Sequence, residues 1–95
     1  MTAPLWVARL IISARTAEKL TSRHGLEWQE VHDAIVGVRG LRYVWDDDPE
    51  RGRRALVEVT IRGRLCLVVL YPVADPSGDE YALGKRLPAM TRLPR

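Results

Sequence analysis

The sequence predicts an α+β fold in which two N-terminal helices pack on one face of a four- to five-stranded antiparallel sheet. Three observations carry that expectation. Arg54–Pro72 reads RALVEVTIRGRLCLVVLYP, two β-rich runs that meet at a glycine-bearing turn. Ahead of it, Thr16–Val36 has helical periodicity interrupted by one glycine. Behind it, the turn cluster Val73–Asp79 leads into a further strand-like run.

The hairpin fixes its own register. Glycine enters φ > 0 without the steric cost that other residues meet, so Arg62 and Gly63 supply a two-residue turn. Counting outward pairs Ile61 with Arg64, Val59 with Cys66, Val57 with Val68 and Ala55 with Leu70 on one face. The other face pairs Thr60 with Leu65, Glu58 with Leu67, Leu56 with Val69 and Arg54 with Tyr71. The first face is apolar and the second is mixed. Leu65–Leu70 is apolar throughout, which predicts a central strand covered on at least part of both sides.

The remaining elements follow in chain order. Leu5–Ser13 (LWVARLIIS) is apolar and β-branched enough for an edge strand, interrupted by Arg9. From Thr16 onward Ala17, Leu20, Thr21 and His24 share a helical face, with Thr16 as N-cap and Gly25 as the left-handed residue past His24. A second helix spans Leu26–Val36, with Glu27 as N-cap, Glu30 at N3, and Leu26 and Val31 at the spacing of a hydrophobic staple. Its apolar stripe is Val31, Ala34, Ile35 and Val38, with Trp28 one turn earlier, while Gln29, Glu30 and Asp33 point to water. Gly37 and Gly40 end it. Leu41–Asp46 alternates as a strand, Asp46–Gly52 (DDDPERG) is a loop, and Glu80–Arg86 is the last strand before Pro88. Residues 1–87 read as a single α+β domain and 88–95 as a basic C-terminal tail.

Ninety-five residues suffice for one core and leave no room for separate catalytic and binding domains. The formal charge of +3 is carried almost wholly by arginine, Lys19 and Lys85 being the only lysines. Arginine is the better planar donor for phosphate, although an arginine bias also follows from GC-rich coding. From Gly84 onward Lys85, Arg86, Arg92 and Arg95 meet no carboxylate, a local positive field. The single cysteine, Cys66, excludes an internal disulfide and points to a reducing compartment. With no signal-peptide pattern and no apolar run of membrane-spanning length, the expected location is cytoplasmic, with no membrane partner.

Few constellations could carry chemistry. The run Asp46-Asp47-Asp48-Pro49-Glu50 lacks the alternate ligand spacing and glycine of a calcium loop, and His24 and His32 have no further ligands at zinc spacing. No metal or other cofactor is expected. The helix pair resembles a DNA-binding helix-turn-helix, but its second helix exposes Glu27, Gln29, Glu30 and Asp33, and a recognition helix this acidic is repelled by phosphate. The mixed sheet face is the stronger candidate. Arg54 stands there opposite Tyr71, and if Tyr81 and Leu83 point into the core, Ala82 and Gly84 leave open space in front of Arg86. An arginine beside a shallow floor can hold a phosphodiester oxygen and stabilise the charge that develops in the transition state. The alternative, a wet sheet face on which these arginines pair with Glu58 or Asp79, stays open.

The segment RHGLEWQEV resembles the KHG-[small/apolar]-x-E-E segment of the BrnT-type toxins, and GRLCLVVLYP resembles their GRLLLVV strand, in the same order and at similar separation. The resemblance covers roughly Thr16–Leu87. It implies the fold of the RelE-like ribonucleases of bacterial toxin–antitoxin modules, with helices on one side of a curved antiparallel sheet and the RNA site on the other. It further implies metal-independent cleavage in which the substrate's own 2′-hydroxyl attacks the neighbouring phosphate. RNA, ribosome-associated mRNA included, and a cognate antitoxin are the implied partners. By position Arg23 stands where the family has the lysine of KHG, Arg54 near its strand arginine, and Lys85-Arg86 where it has the Ala-Arg of its ISAR segment. Arg54, Arg86 and His24 are then the candidate catalytic groups, and Arg23, Lys85, Tyr71 and Arg64 the candidate RNA-binding groups. The chain departs from the family after Arg86, where Pro88 and Pro94 replace a terminal helix and no Glu, His or Tyr follows. A catalytically inactive binding module of the same fold remains an alternative on these residues.

Overall fold

The computed structural model describes residues 5–73 and 78–84. In chain order it contains β1 (Arg9–Ile11), α1 (Ala14–His24), α2 (Trp28–Ile35), β2 (Arg42–Asp48), β3 (Gly52–Ile61), β4 (Arg64–Pro72) and β5 (Glu80–Leu83). The five strands form one sheet in the order β1-β5-β4-β3-β2. β2 to β5 form an antiparallel meander, and β1 joins the far edge parallel to β5. Among the described residues no helix is long and apolar enough to cross a membrane.

The central hairpin has the register its turn dictates, from Ile61 opposite Arg64 to Ala55 opposite Leu70. Arg62 (φ 54°) and Gly63 (φ 72°) are both left-handed, the type I′ conformation whose twist matches that of the flanking strands. One sheet face, with Ala55, Val57, Val59, Cys66, Val68 and Leu70, joins Leu20, Leu26, Val31 and Ile35 of the helical layer in the main core. Tyr81 and Leu83 also point into it.

Several boundaries differ from the sequence expectation, each for a local reason. The segment 5–13 is strand only over Arg9–Ile11. Leu5 and Val7 are buried, but inward alternation then shifts to Leu10, and the amides of Ala8 and Arg9 both donate to the carbonyl of Asp79, a bulge-like doubling that interrupts the ladder. Ser13, not Thr16, caps α1: its Oγ accepts from the Thr16 amide at 3.2 Å, so the cap and the helix start lie three residues earlier. At the other end Gly25 is left-handed (φ 64°), and the amides of Gly25 and Leu26 bond back to Thr21 and Leu20, a Schellman closure with Leu26 buried beneath it. In α2 Glu27 is the N-cap, and its amide donates to the Glu30 carboxylate at 3.2 Å. Trp28 does not join the buried stripe; it is 42% exposed and meets His32 edge to face.

Two further corrections concern charged residues. Glu30 does not simply point to water. Arg62, at the hairpin turn, clasps it with Nε 2.6 Å from Oε2 and a second guanidinium nitrogen on Oε1, tying α2 to the sheet across the core. Likewise Asp46, Asp47 and Asp48 are strand rather than loop. Each stands in register with a residue of β3, Asp46 with Arg54 and Asp47 with Arg53, and the turn shrinks to the three residues between Asp48 and Gly52. Strand β5 is assigned only to Leu83, and the expected continuation through Arg86 lies outside the described residues, as do the tail 88–95 and residues 74–77 of the preceding turn.

The Glu30 clasp makes a pH prediction. Hydrogen bonding from Arg62, followed by the Glu27 amide, holds the Glu30 carboxyl below its ordinary value. Its contribution to stability is therefore complete above the unfolded glutamate pKa, about 4.3, and is lost as pH falls through the lower folded value. In urea titrations from pH 7 to pH 2, Glu30→Gln should lower the midpoint at neutral pH and approach wild type at the acid end. Parallel midpoint curves for the two proteins would show that the clasp contributes nothing.

Candidate functional site

The helix-free face of the sheet has an apolar centre. Leu56, Leu67, Val69 and Tyr71 are buried there with Val44 packed against them, and Leu67 and Val69 have no exposed surface at all. This bears out the expectation that β4 is covered on both sides. A connected polar cluster lies at the end of this face formed by the β2–β3 turn.

There the side chains of Asp46, Asp48, Arg54 and Tyr71 form one network. The Arg54 guanidinium meets Asp46 Oδ2 through Nε at 2.8 Å and through a terminal nitrogen at 2.7 Å. Its other terminal nitrogen reaches Asp48 Oδ2 at 3.4 Å. The Tyr71 hydroxyl donates to that same Asp48 oxygen at 2.8 Å. The remaining Asp48 oxygen accepts from the amides of Glu50 at 2.9 Å and Arg51 at 3.3 Å, closing the turn. Arg51 lies over the Tyr71 ring with its guanidinium carbon 3.9 Å from the centroid.

The electrostatics follow from these bonds. The Glu50 amide first, then the Tyr71 hydroxyl, holds Asp48 below its usual carboxylate range. Hydrogen bonding to Asp46 holds Arg54 more firmly protonated than a free arginine. Two carboxylates therefore compensate Arg54 fully, and a phosphate oxygen would compete with them for its donors. Arg51 differs: it is exposed, its partner is a ring, and it makes no ion pair among the described residues. Elsewhere on the face Arg42 lies 3.8 Å from Glu58, and Arg9 is in register with Glu80 in the parallel ladder.

The candidate residues are thus only partly brought together. Arg54 and Tyr71 share the network, linked through Asp48. Arg23 and His24 end α1 on the helical side, so the sheet stands between them and Arg54. Arg64 is exposed at the hairpin turn, opposite Ile61 and at the other end of the hairpin from Arg54. Lys85 and Arg86 lie outside the described residues. The partners of Arg54 are Asp46 and Asp48, not Glu58 or Asp79. Nor does Gly84 leave open space: a Cβ there would collide with the Tyr71 ring, which occupies the room the glycine vacates.

Asp46, Asp48 and Arg51 are the site residues that the sequence reading missed. Their signal was present in the alternation Asp46-x-Asp48, which faces Arg54 once the turn is confined to residues 49–51. Among the described residues no group of three or more His, Cys, Asp or Glu side chains converges to hold a metal ion.

Gly84 and Tyr71 supply a paired test of this packing. Gly84→Ala should destabilise by about 1–3 kcal/mol through overpacking against the ring, and Tyr71→Phe by about 1 kcal/mol through loss of the Asp48 hydrogen bond. Urea midpoints measure both. A neutral Gly84→Ala would mean that the ring does not occupy this space. No family model, no curated protein and no solved structure matches the chain.

Proposed function

We propose that the protein is a toxin-like component of a bacterial toxin–antitoxin module, RelE-like in fold, that engages RNA through the helix-free sheet face. The observation that carries this reading is Arg51 on Tyr71, an exposed and uncompensated cation seated on an aromatic ring and backed by a fixed second arginine. A cation over a ring offers a phosphate donor and a stacking edge in one place, the two features single-stranded RNA uses most. Metal-independent cleavage would place Arg51 on a non-bridging oxygen and Arg54 on the developing transition-state charge, with the 2′-hydroxyl as nucleophile. The expected antitoxin is acidic where it covers these arginines.

One observation favours a second reading, a catalytically inactive binding module of the same fold. Arg54 must exchange a carboxylate for phosphate before it can act, and His24 lies across the sheet from it. Binding needs neither step. A helix-turn-helix DNA reader gains no support from α2, whose Val31 and Ile35 are buried and whose Glu30 is held by Arg62.

The test combines binding, cleavage and growth. The wild-type protein should bind single-stranded RNA in EDTA by fluorescence anisotropy. Arg51→Ala should weaken binding several-fold and reduce the slope of log K against log salt by about 0.7, the share of one phosphate contact. Cleavage to 2′,3′-cyclic phosphate ends, with growth arrest relieved by Arg51→Ala and Arg54→Ala together, supports the ribonuclease. RNA bound but left intact supports the binding module, and no RNA binding at any salt concentration removes both.

A further inference from the structure

The outer edge of the sheet is a place where backbone geometry and charge point to a partner. A two-residue turn makes Ile61 and Arg64 a hydrogen-bonded pair, and alternate pairs then follow along the ladder. Ala55, Val57 and Val59 therefore bond towards β4, and Arg54, Leu56 and Glu58 towards β2. Their partners Asp46, Val44 and Arg42 bond inward. The amides and carbonyls of Tyr43, Trp45 and Asp47 consequently point away from β3, to the side of β2 on which no strand lies among the described residues. The same parity requires Val69 and residues two apart from it to bond towards β5. The Gly84 amide on the Val69 carbonyl at 2.7 Å and the Val73 amide on the Glu80 carbonyl at 3.0 Å obey it.

We propose that a second copy of this chain pairs its own β2 with this edge, antiparallel and centred on Trp45, joining two five-stranded sheets into one. The seven residues of β2 then give three hydrogen-bonded pairs, Tyr43 with Asp47, Trp45 with Trp45, and Asp47 with Tyr43, each exchanging two bonds. The register is self-complementary in charge. Arg42 of each copy stands opposite Asp48 of the other, Asp46 stands opposite Val44, and no carboxylate opposes a carboxylate. Centring on Asp46 or Asp47 would oppose that aspartate to its own copy. Centring on Val44 would pair only two outward-bonding positions.

The acidic run at the end of β2 does not forbid this pairing. Arg54 is ion-paired with Asp46 and reaches Asp48, and Arg53 stands in register with Asp47, so two of the three carboxylates that would keep an exposed edge solitary are compensated from behind. Arg53 also lies over the Trp45 ring at 4.0 Å, and Tyr43 meets that ring edge to face at 6.0 Å. Directly opposed strand residues bring Cβ atoms within about 5.5 Å, so the two-fold axis would set one such aromatic tier against its copy. The opposite edge offers no equivalent, since β1 has only three residues. The proposal is independent of what the helix-free face binds.

Sedimentation equilibrium across a concentration series, combined with amide hydrogen exchange, tests it. The wild-type chain should approach twice its 10.8 kDa mass as concentration rises, and exchange at Tyr43, Trp45 and Asp47 should slow over the same range. Asp47→Pro removes an outward amide at an exposed edge position where proline is tolerated, and should return the mass to a single chain with unchanged circular dichroism. If that variant does not fold, wild-type exchange decides alone. A single-chain mass throughout, a dimer whose three amides exchange as fast as in the dilute protein, or a folded Asp47→Pro dimer would each overturn the proposal.

Discussion

The two-residue turn at Arg62–Gly63 sets the parity of every strand that follows from it. With both residues at positive φ, Ile61 and Arg64 must be hydrogen-bonded partners, and each residue of β3 then has a fixed face and a fixed direction for its backbone groups. That parity places Val57 and Val59 beneath the helices and Arg54 and Leu56 on the other side. It also determines that β2 meets β3 through Arg42, Val44 and Asp46. A one-residue slip would carry the apolar set to the wrong face, so burial reinforces what the turn imposes. The turn has a second hold on the fold, because Arg62 reaches over the core to the start of α2. Helix and sheet are thereby linked by a bidentate ion pair at the residue that defines the hairpin.

The helix-free face is constrained differently. Its arginines lie among strand carboxylates, and each strand pairing offers one: Arg54 between Asp46 and Asp48, Arg42 beside Glu58. Packing at its centre is apolar and complete, with Leu67 and Val69 fully buried. The proposed binding surface is therefore confined to the rim by the β2–β3 turn, where Arg51 leaves the ladder and lies over Tyr71. The Tyr71 ring reaches that position because Gly84 has no side chain, so the residue just past β5 bears directly on the packing of the turn.

The fold was legible where one strong local signal propagated. Gly63 identified the turn, and counting from it assigned seven cross-strand pairs of β3 and β4 correctly. The burial of Tyr81 and Leu83 and the cap at Gly25 were equally local. Failures came where long-range pairing overrode composition. Three consecutive aspartates read as a solvated loop, since nothing within the run shows that β3 presents Arg53 and Arg54 across from it. Arg54 was assigned to the correct face beside Tyr71, yet its carboxylate partners were misidentified for the same reason. Ser13 was passed over as N-cap because helical periodicity is weak in the first turn of α1, where Ala14 and Arg15 bury nothing.

The Arg54 network sets stability against the proposed phosphate contact at one residue. Asp46 and Asp48 lock the guanidinium in a single orientation, which is the preorganisation a phosphate site needs, but they also occupy the donors such a site would use. An exchange of carboxylate for phosphate is least costly at Asp48, whose contact with Arg54 is the longer one and whose oxygens are already satisfied by the Tyr71 hydroxyl and two turn amides. Releasing Arg54 from Asp48 would leave that carboxylate hydrogen-bonded rather than stranded, while Asp46 kept the arginine in place. The long contact is therefore where the network opens at least cost, and Arg51 lies next to it, its amide on Asp48 and its guanidinium over Tyr71.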